Sequence, residues 1–223
     1  MEEKKAGLPA IIAPKAEELP RISLWDAALL IADNCTAIKP YCFGKGDDFA
    51  FILPKAWQRI KVFFDYGEKT PNNRYEAKAN LYGHRFMDAH GHYVDVVSDV
   101  EYIYAATRSE TYVAVSTDGK SDFMQYRLKA EHSIYNRFEK ARNVGRDGKL
   151  FDPFLDYGPS EYLGDIHTHP QIGVFFSATD RASNESTLMR HNLYIVCDPI
   201  KEDLTAMAGV DERPVRLVVC EKR

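Results

Sequence analysis

DIHTHPQIGVFFSATD occupies residues 165–180, and its reading decides what is built around it. "LGDIHTH" reads as a strand, and Pro170 ends it because proline has no N–H to give to a ladder. From Ser177 onward "SATDRASNESTLMR" reads as a short helix. In a strand, residues i and i+2 point to the same side, roughly 6–7 Å apart. His167 and His169 can therefore aim both imidazoles at one ion while Thr168 faces away. Asp180 follows His169 by eleven positions and falls in the first turn of the helix, from where a loop of that length can return its carboxylate to the imidazoles. Two nitrogens, one carboxylate oxygen and one open position describe a catalytic zinc site. Ser177, one turn before Asp180, can donate its hydroxyl to an oxyanion forming on a polarised carbonyl. The same Ser177-x-x-Asp180 is also an ordinary helix start, with a hydroxyl cap and an acid favoured by the helix dipole. Both readings stay open at this point.

Working outward, residues 1–20 are rich in Pro, Ala, Lys and Glu without periodicity and read as a flexible leader. "RISLWDAALLIADN" reads as a helix started by Ser23 and Asp26, with Trp25, Ala28, Leu29 and Ala32 on one face. "PYCFGKGDD" is loop, and its GKG is too short for a phosphate-binding loop. Residues 49–53 form a strand candidate. "PKAWQRIKVFFDYG" then reads as a helix with Pro54 in its first turn and Gly67 at its end, Ala56, Ile60, Phe63 and Phe64 falling at helical spacing. Residues 74–86 and 92–100 read as paired strands turned at "DAHG", and 111–116 as another strand. A long helix is expected over 121–145, with Leu128, Ile134, Phe138 and Ala141 roughly on one face. "NLYIVCD", "LTAMAGVD" and "PVRLVVCE" close the chain as strands. Strands alternating with covering helices predict an α/β layered domain.

The chain has 223 residues, 45% hydrophobic and 28% charged, enough for a core that needs neither metal nor disulfides. Its net charge of −4, with no Lys/Arg-rich segment, argues against nucleic acid as a partner. Cys35, Cys42, Cys197 and Cys220 are scattered with no CxxC; Cys197 and Cys220 sit in apolar runs where a thiol packs as a small hydrophobe. There is no signal-peptide pattern at the start, and the longest apolar run, "AALLIA", is too short to span a bilayer. A reduced cytoplasm, without membrane contact, is the expectation.

The string H-T-H-P, six residues, then S-x-x-D resembles the signature of the JAMM/MPN+ (JAB-domain) zinc metalloproteases, isopeptidases and deubiquitinases with prokaryotic relatives acting on ubiquitin-like and sulfur-carrier proteins. The resemblance implies that His167, His169 and Asp180 bind one Zn2+ per chain and that Ser177 helps to hold the tetrahedral intermediate. It also calls for an upstream glutamate early on a strand after a helix. Glu76 in "YEAKANLYG" fits that place and would act as general base, with Glu101 and Glu110 as fallbacks. Lys78 and Ala79 stand where that family commonly has paired glycines. The resemblance covers roughly residues 49–220. It implies an α/β fold, a mixed curved β-sheet with flanking helices (JAB/MPN, cytidine-deaminase-like). Residues 1–48 are then an N-terminal extension of leader plus helix, and 49–223 a metalloprotease domain with an insertion around 121–160. The 91 residues from Glu76 to His167 accommodate that insertion.

The implied activity is cleavage after the C-terminal tail of a ubiquitin-like or sulfur-carrier protein, with a partner subunit or a homodimer as an additional requirement in some relatives. Competing readings are a peptidase of small peptides or conjugates, a catalytically silent MPN-type scaffold, and a RadC-type protein, whose histidine context differs. The second HxH, His90 and His92, brackets the glycine of a hairpin turn and reads as solvated loop.

Overall fold

In the computed structural model the described residues are 19–32, 35–41, 46–103, 106–110, 112–115, 132–137, 159–185, 192–209 and 211–222, with positions 129, 139, 140, 154 and 157. Ten strands run β1 (Ala37–Tyr41), β2 (Asp48–Ile52), β3 (Lys78–Met87), β4 (Tyr93–Tyr102), β5 (Ala106–Ser109), β6 (Tyr112–Val115), β7 (Glu161–Thr168), β8 (Leu193–Asp198), β9 (Asp203–Ala208) and β10 (Arg213–Glu221). Three helices are described in full: α1 (Leu24–Ala32), α2 (Pro54–Phe64) and α3 (Ala178–Glu185). Residues 132–137 are also helical, and the rest of the helix expected over 121–145 lies almost wholly outside the described residues.

Eight strands join in the order β1-β10-β2-β4-β3-β7-β8-β9. The last of them then pairs with β10 through Arg213↔Ala208 and Pro214↔Met207, which closes a ring of seven and leaves β1 outside it. This overturns the expectation of an α/β fold with a mixed curved sheet and flanking helices (JAB/MPN, cytidine-deaminase-like). The molecule is mostly sheet, a closed barrel with few helices. The sequence reading named the three C-terminal strands but not their pairing. In fact β9 folds back antiparallel on β8 and reaches the start of β10, which is itself parallel to β2. The same edge of β10 is taken over further along by β1, through Ala37↔Glu221 to Tyr41↔Leu217.

The described residues before 49 are therefore built into the same body. α1 buries Ala27 and Ile31 against Phe51, Phe86 and Val94. The expected face carrying Trp25 and Leu29 points outward instead, with Trp25 71% exposed and Leu29 49%. Ala27, having no bulk beyond Cβ, lets the helix approach the barrel wall. Ser23 caps α1 as expected, its Oγ donating to Asp26 Oδ2 at 2.6 Å and accepting from Asp26 N at 3.0 Å. α2 buries Ala56, Trp57, Ile60 and Phe64 in the main core with strand residues such as Ile52, Leu81, Ile166, Ile195 and Leu217. It ends at Phe64, earlier than Gly67, because Asp65 already turns left-handed at φ 46°. Among the described residues, no helix is long and apolar enough to cross a membrane.

Two glycines permit the curvature. The β3–β4 register shifts at Tyr82/Gly83, and the β3–β7 register at Leu81/Tyr82 opposite Gly164. A Cβ on Gly83 would stand 1.8 Å from Val96 O, and one on Gly164 1.8 Å from Leu193 O. Neither strand could lie this close to its neighbour with any other residue there.

On β4, Asp99 gathers cations from two other elements: Lys55 Nζ at 2.8 Å and Arg59 Nε at 3.4 Å from α2, and Arg137 Nε at 2.8 Å from the helical segment 132–137. Burial pushes the Asp99 carboxyl up, but these three cations outweigh it and hold it below its ordinary value. An unfolded chain takes up that proton near pH ~3.9, before the folded one does. The contribution is therefore complete above about pH 4 and is lost as pH falls through the lower folded value. Asp99→Asn is expected to cost on the order of 3 kcal/mol near neutral pH and to flatten the acid limb of a pH series of urea melts. Gly164→Ala is expected to cost about 1–3 kcal/mol in the same melts by forcing β7 from β8.

Candidate metal centre

β7 is hydrogen-bonded along both edges, antiparallel to β3 and parallel to β8, with His167 opposite Lys78 on one side and Val196 on the other. His169 lies one residue past the strand, where its N–H still donates to Cys197 O at 2.7 Å. Pro170 then releases the chain into a loop with Gln171 at φ 67° and Gly173 at φ 98°. The side-chain oxygens of Asp198, fully buried at the end of β8, accept from the N–H groups of Gln171 and Gly173 at 3.2 Å each, fixing the loop from below.

The loop delivers α3 so that Asp180 meets both histidines. His167 Nε2 lies 3.1 Å from Asp180 Oδ1, His169 Nε2 3.5 Å from Asp180 Oδ2, and the two Nε2 atoms are 3.2 Å apart. His167, His169 and Asp180 offer one ligand atom each, all within 4.8 Å of one another, and form a group that can hold a metal ion. The donor set suits such an ion: two imidazole nitrogens turned toward one point and a carboxylate closing the third side. Burial would raise the Asp180 carboxyl, yet hydrogen bonds from His167, His169 and Ser177 hold it well below the usual carboxylate range. Burial works against a charged His169, but Asp180 first and then Glu76 raise it above its ordinary value.

Ser177 stands where the sequence placed it, at the start of α3. Its Oγ donates to Asp180 Oδ2 at 2.7 Å and accepts from Asp180 N at 3.2 Å, and its own N–H donates to the same Oδ2 at 2.7 Å. In this arrangement Ser177 caps the helix and fixes the Asp180 carboxylate. Glu76 is brought to the same place from a different element, with Oε1 3.9 Å from His169 Nε2. It lies in an extended segment between a 3-10 turn (Pro71–Arg74) and β3, just before the strand on which it was expected. It is almost wholly buried. Burial pushes its carboxyl up to about 7, with Asp180 adding to the rise and His169 and a hydrogen bond from the Val113 backbone opposing it.

Neither fallback glutamate approaches the histidines. Glu101 pairs with Arg59 and Arg137 at 3.1 and 2.9 Å, and Glu110 with Arg74 at 3.5 Å on the surface. His90 and His92 sit on the hairpin turn, where Asp88 accepts from both backbone N–H groups at 2.8 Å. Sequence reasoning missed Phe175, half exposed, whose ring packs 5.0 Å from the His169 ring. It also missed β5 and the hairpin that β5 makes with the strand read at 111–116, which covers Glu76. Nothing in the pattern of either segment announced a place at the site.

No family model matches the chain, and no curated protein matches it. Among solved structures, the solution structure of protein DSY2949 from Desulfitobacterium hafniense is similar over 78% of this chain and 94% of that one, at 16% identity and a TM-score of 0.43. A likeness at that level adds nothing to the reading of the site.

Metal loading tests the cluster directly. After equilibrium dialysis against zinc, the chain is expected to retain about one ion per molecule, and Asp180→Ala to retain none. Affinity should fall as the pH drops and protons compete for the two rings, read by the same dialysis at a series of pH values.

Proposed function

We propose that this protein is a zinc-dependent isopeptidase or peptidase of the JAMM type, cleaving after the C-terminal tail of a ubiquitin-like or sulfur-carrier protein in the cytoplasm. The proposal concerns the chemistry of the site, since the barrel is not the layered fold that the motif suggested. The observation that carries it is the convergence of four groups from three parts of the chain. Glu76 reaches within 3.9 Å of His169, and His167 and His169 meet Asp180 at 3.1 and 3.5 Å.

His167, His169 and Asp180 would hold the zinc, which when bound acidifies a water and polarises a scissile carbonyl. Glu76 is the proton carrier. A buried carboxyl raised to about 7 is poised to accept a proton from the attacking water and to return it to the leaving amine. That return is required, because a lysine ε-amine or an α-amine is a poor leaving group. Ser177 sets the orientation of Asp180, and rotation of its hydroxyl toward a developing oxyanion would add stabilisation there. The exposed face of Phe175 and the adjacent Ile172 give the rim an apolar side against which a substrate tail can lie.

The test is a panel of ubiquitin-like fusions and short peptides incubated with zinc-loaded chain. Cleavage of fusions alone supports the proposed substrate, and cleavage of peptides alone favours the small-peptide alternative. Cleavage of neither by zinc-loaded protein would leave the silent scaffold as the better reading. Glu76→Gln is expected to keep its zinc and to lose activity by about 10²–10⁴-fold, the usual contribution of general acid–base catalysis.

A further inference from the structure

The Glu76 carboxylate is only as well placed as the backbone that carries it, and that backbone is irregular, lying between a 3-10 turn and the first residue of β3. Two side chains outside the ligand set grip it from opposite sides. Thr168, between the two histidines, turns its hydroxyl away from them and accepts the Ala77 N–H at 2.8 Å. Its own N–H donates to Ala77 O at 2.9 Å, so one buried residue satisfies both backbone groups of the residue after Glu76. From the β5–β6 hairpin, Arg108 Nε donates to Glu76 O at 2.7 Å, and its Nη2 to Tyr75 O at 3.2 Å and Asn72 O at 3.3 Å. Ser109 O accepts the Glu76 N–H at 2.8 Å.

We propose that Thr168 and Arg108 are positioning residues that together set the Glu76 carboxylate against the metal centre, so that the histidine strand and the hairpin fix the proton carrier and the ligands as one unit. This rests on the reading of Glu76 as the proton carrier. Thr168 ties the Glu76 segment to the strand that carries both rings, so base and ligands cannot drift apart independently. Arg108 holds the carbonyls of Asn72, Tyr75 and Glu76 with two nitrogens of one planar fork, a span that the compact ammonium of a lysine does not offer. Neither residue touches the reacting atoms. Their loss should loosen the base while leaving the ligands in place.

The test uses full-length zinc-loaded chain and the panel substrate that the wild type cleaves. Thr168→Val keeps shape and removes the hydroxyl; Arg108→Gln removes the fork. Each is expected to lower kcat by about 10²-fold, the cost of a base displaced by about 1 Å, with KM and zinc content little changed, and Thr168→Ser is expected to restore activity. A purely structural role would instead lower zinc content and melting temperature together, or leave serine no better than valine. Either result, or unchanged kcat in both variants, overturns the proposal. Amide hydrogen exchange at Ala77 gives a readout that needs no substrate: protection in the wild type that is lost in Thr168→Val upholds the clamp, and fast exchange in the wild type sinks it. A wild type that holds zinc but cleaves no substrate removes the hydrolase reading while that exchange measurement still decides the clamp.

Discussion

β7 is the strand from which the site is hung, and its two hydrogen-bonded edges set everything placed around it. On the β3 side the ladder begins at Lys78↔His167, and on the β8 side it runs to Thr168↔Cys197. A strand held on both sides cannot slip by one residue without turning His167 inward and Thr168 toward the loop. The alternation that points two imidazoles one way and a hydroxyl the other is therefore enforced by the barrel. Closure adds to this. β9, joined to β10, backs the strand carrying Asp198, and Asp198 anchors the loop that carries Phe175 and leads to Asp180.

The barrel in turn depends on how one edge of β10 is shared. β9 covers Arg213 and Pro214, and β1, from early in the chain, lies along Leu217 to Glu221 of the same edge. Cys35, next to β1, lies beside Cys220 of β10, where burial pushes both thiols up. Trp57 Nε1 from α2 donates to Glu221 Oε1 at 2.8 Å at the same end. Helix, early strand and last strand thus meet at the end of β10 opposite the two residue pairs that close the ring.

Much of the local structure was legible because local chemistry determines it. Ser23 and Ser177 both start helices, Pro54 starts α2, and the Asp88–His92 turn is a polar loop. The closed barrel was not legible, because closure depends on β9 meeting β10 across the whole fold, and no window of sequence records that contact. The two S-x-x-D boxes make the same point about the site. Asp26 and Asp180 have nearly identical cap geometry with their serines at 2.6 and 2.7 Å, yet Asp26 faces solvent while Asp180 meets two histidines. The His167–His169 spacing was informative because strand periodicity alone puts both rings on one side. Glu76 could be placed only through the resemblance. Arg108 could not be placed at all, since its value lies in three carbonyls that come together only after the hairpin folds over them.

The site also has to be reconciled with the cost of building it. Two imidazoles and two carboxylates are drawn together in a largely buried space, which is expensive unless each charge is answered. The two Nε2 atoms at 3.2 Å cannot both present lone pairs to each other without repulsion, and two protonated rings there would repel as like charges. Asp180 relieves part of this by accepting from both rings, and Glu76 holds its proton more tightly, chiefly because it is buried and further because Asp180 is negative. A divalent cation between the three ligands would satisfy both lone pairs and offset the charge of Asp180. It would also draw Glu76 toward its ionised form, the form needed to accept a proton. Packing alone would have been better served by apolar side chains at the same positions, and a group of charges that one cation would relieve is one that can hold a metal ion.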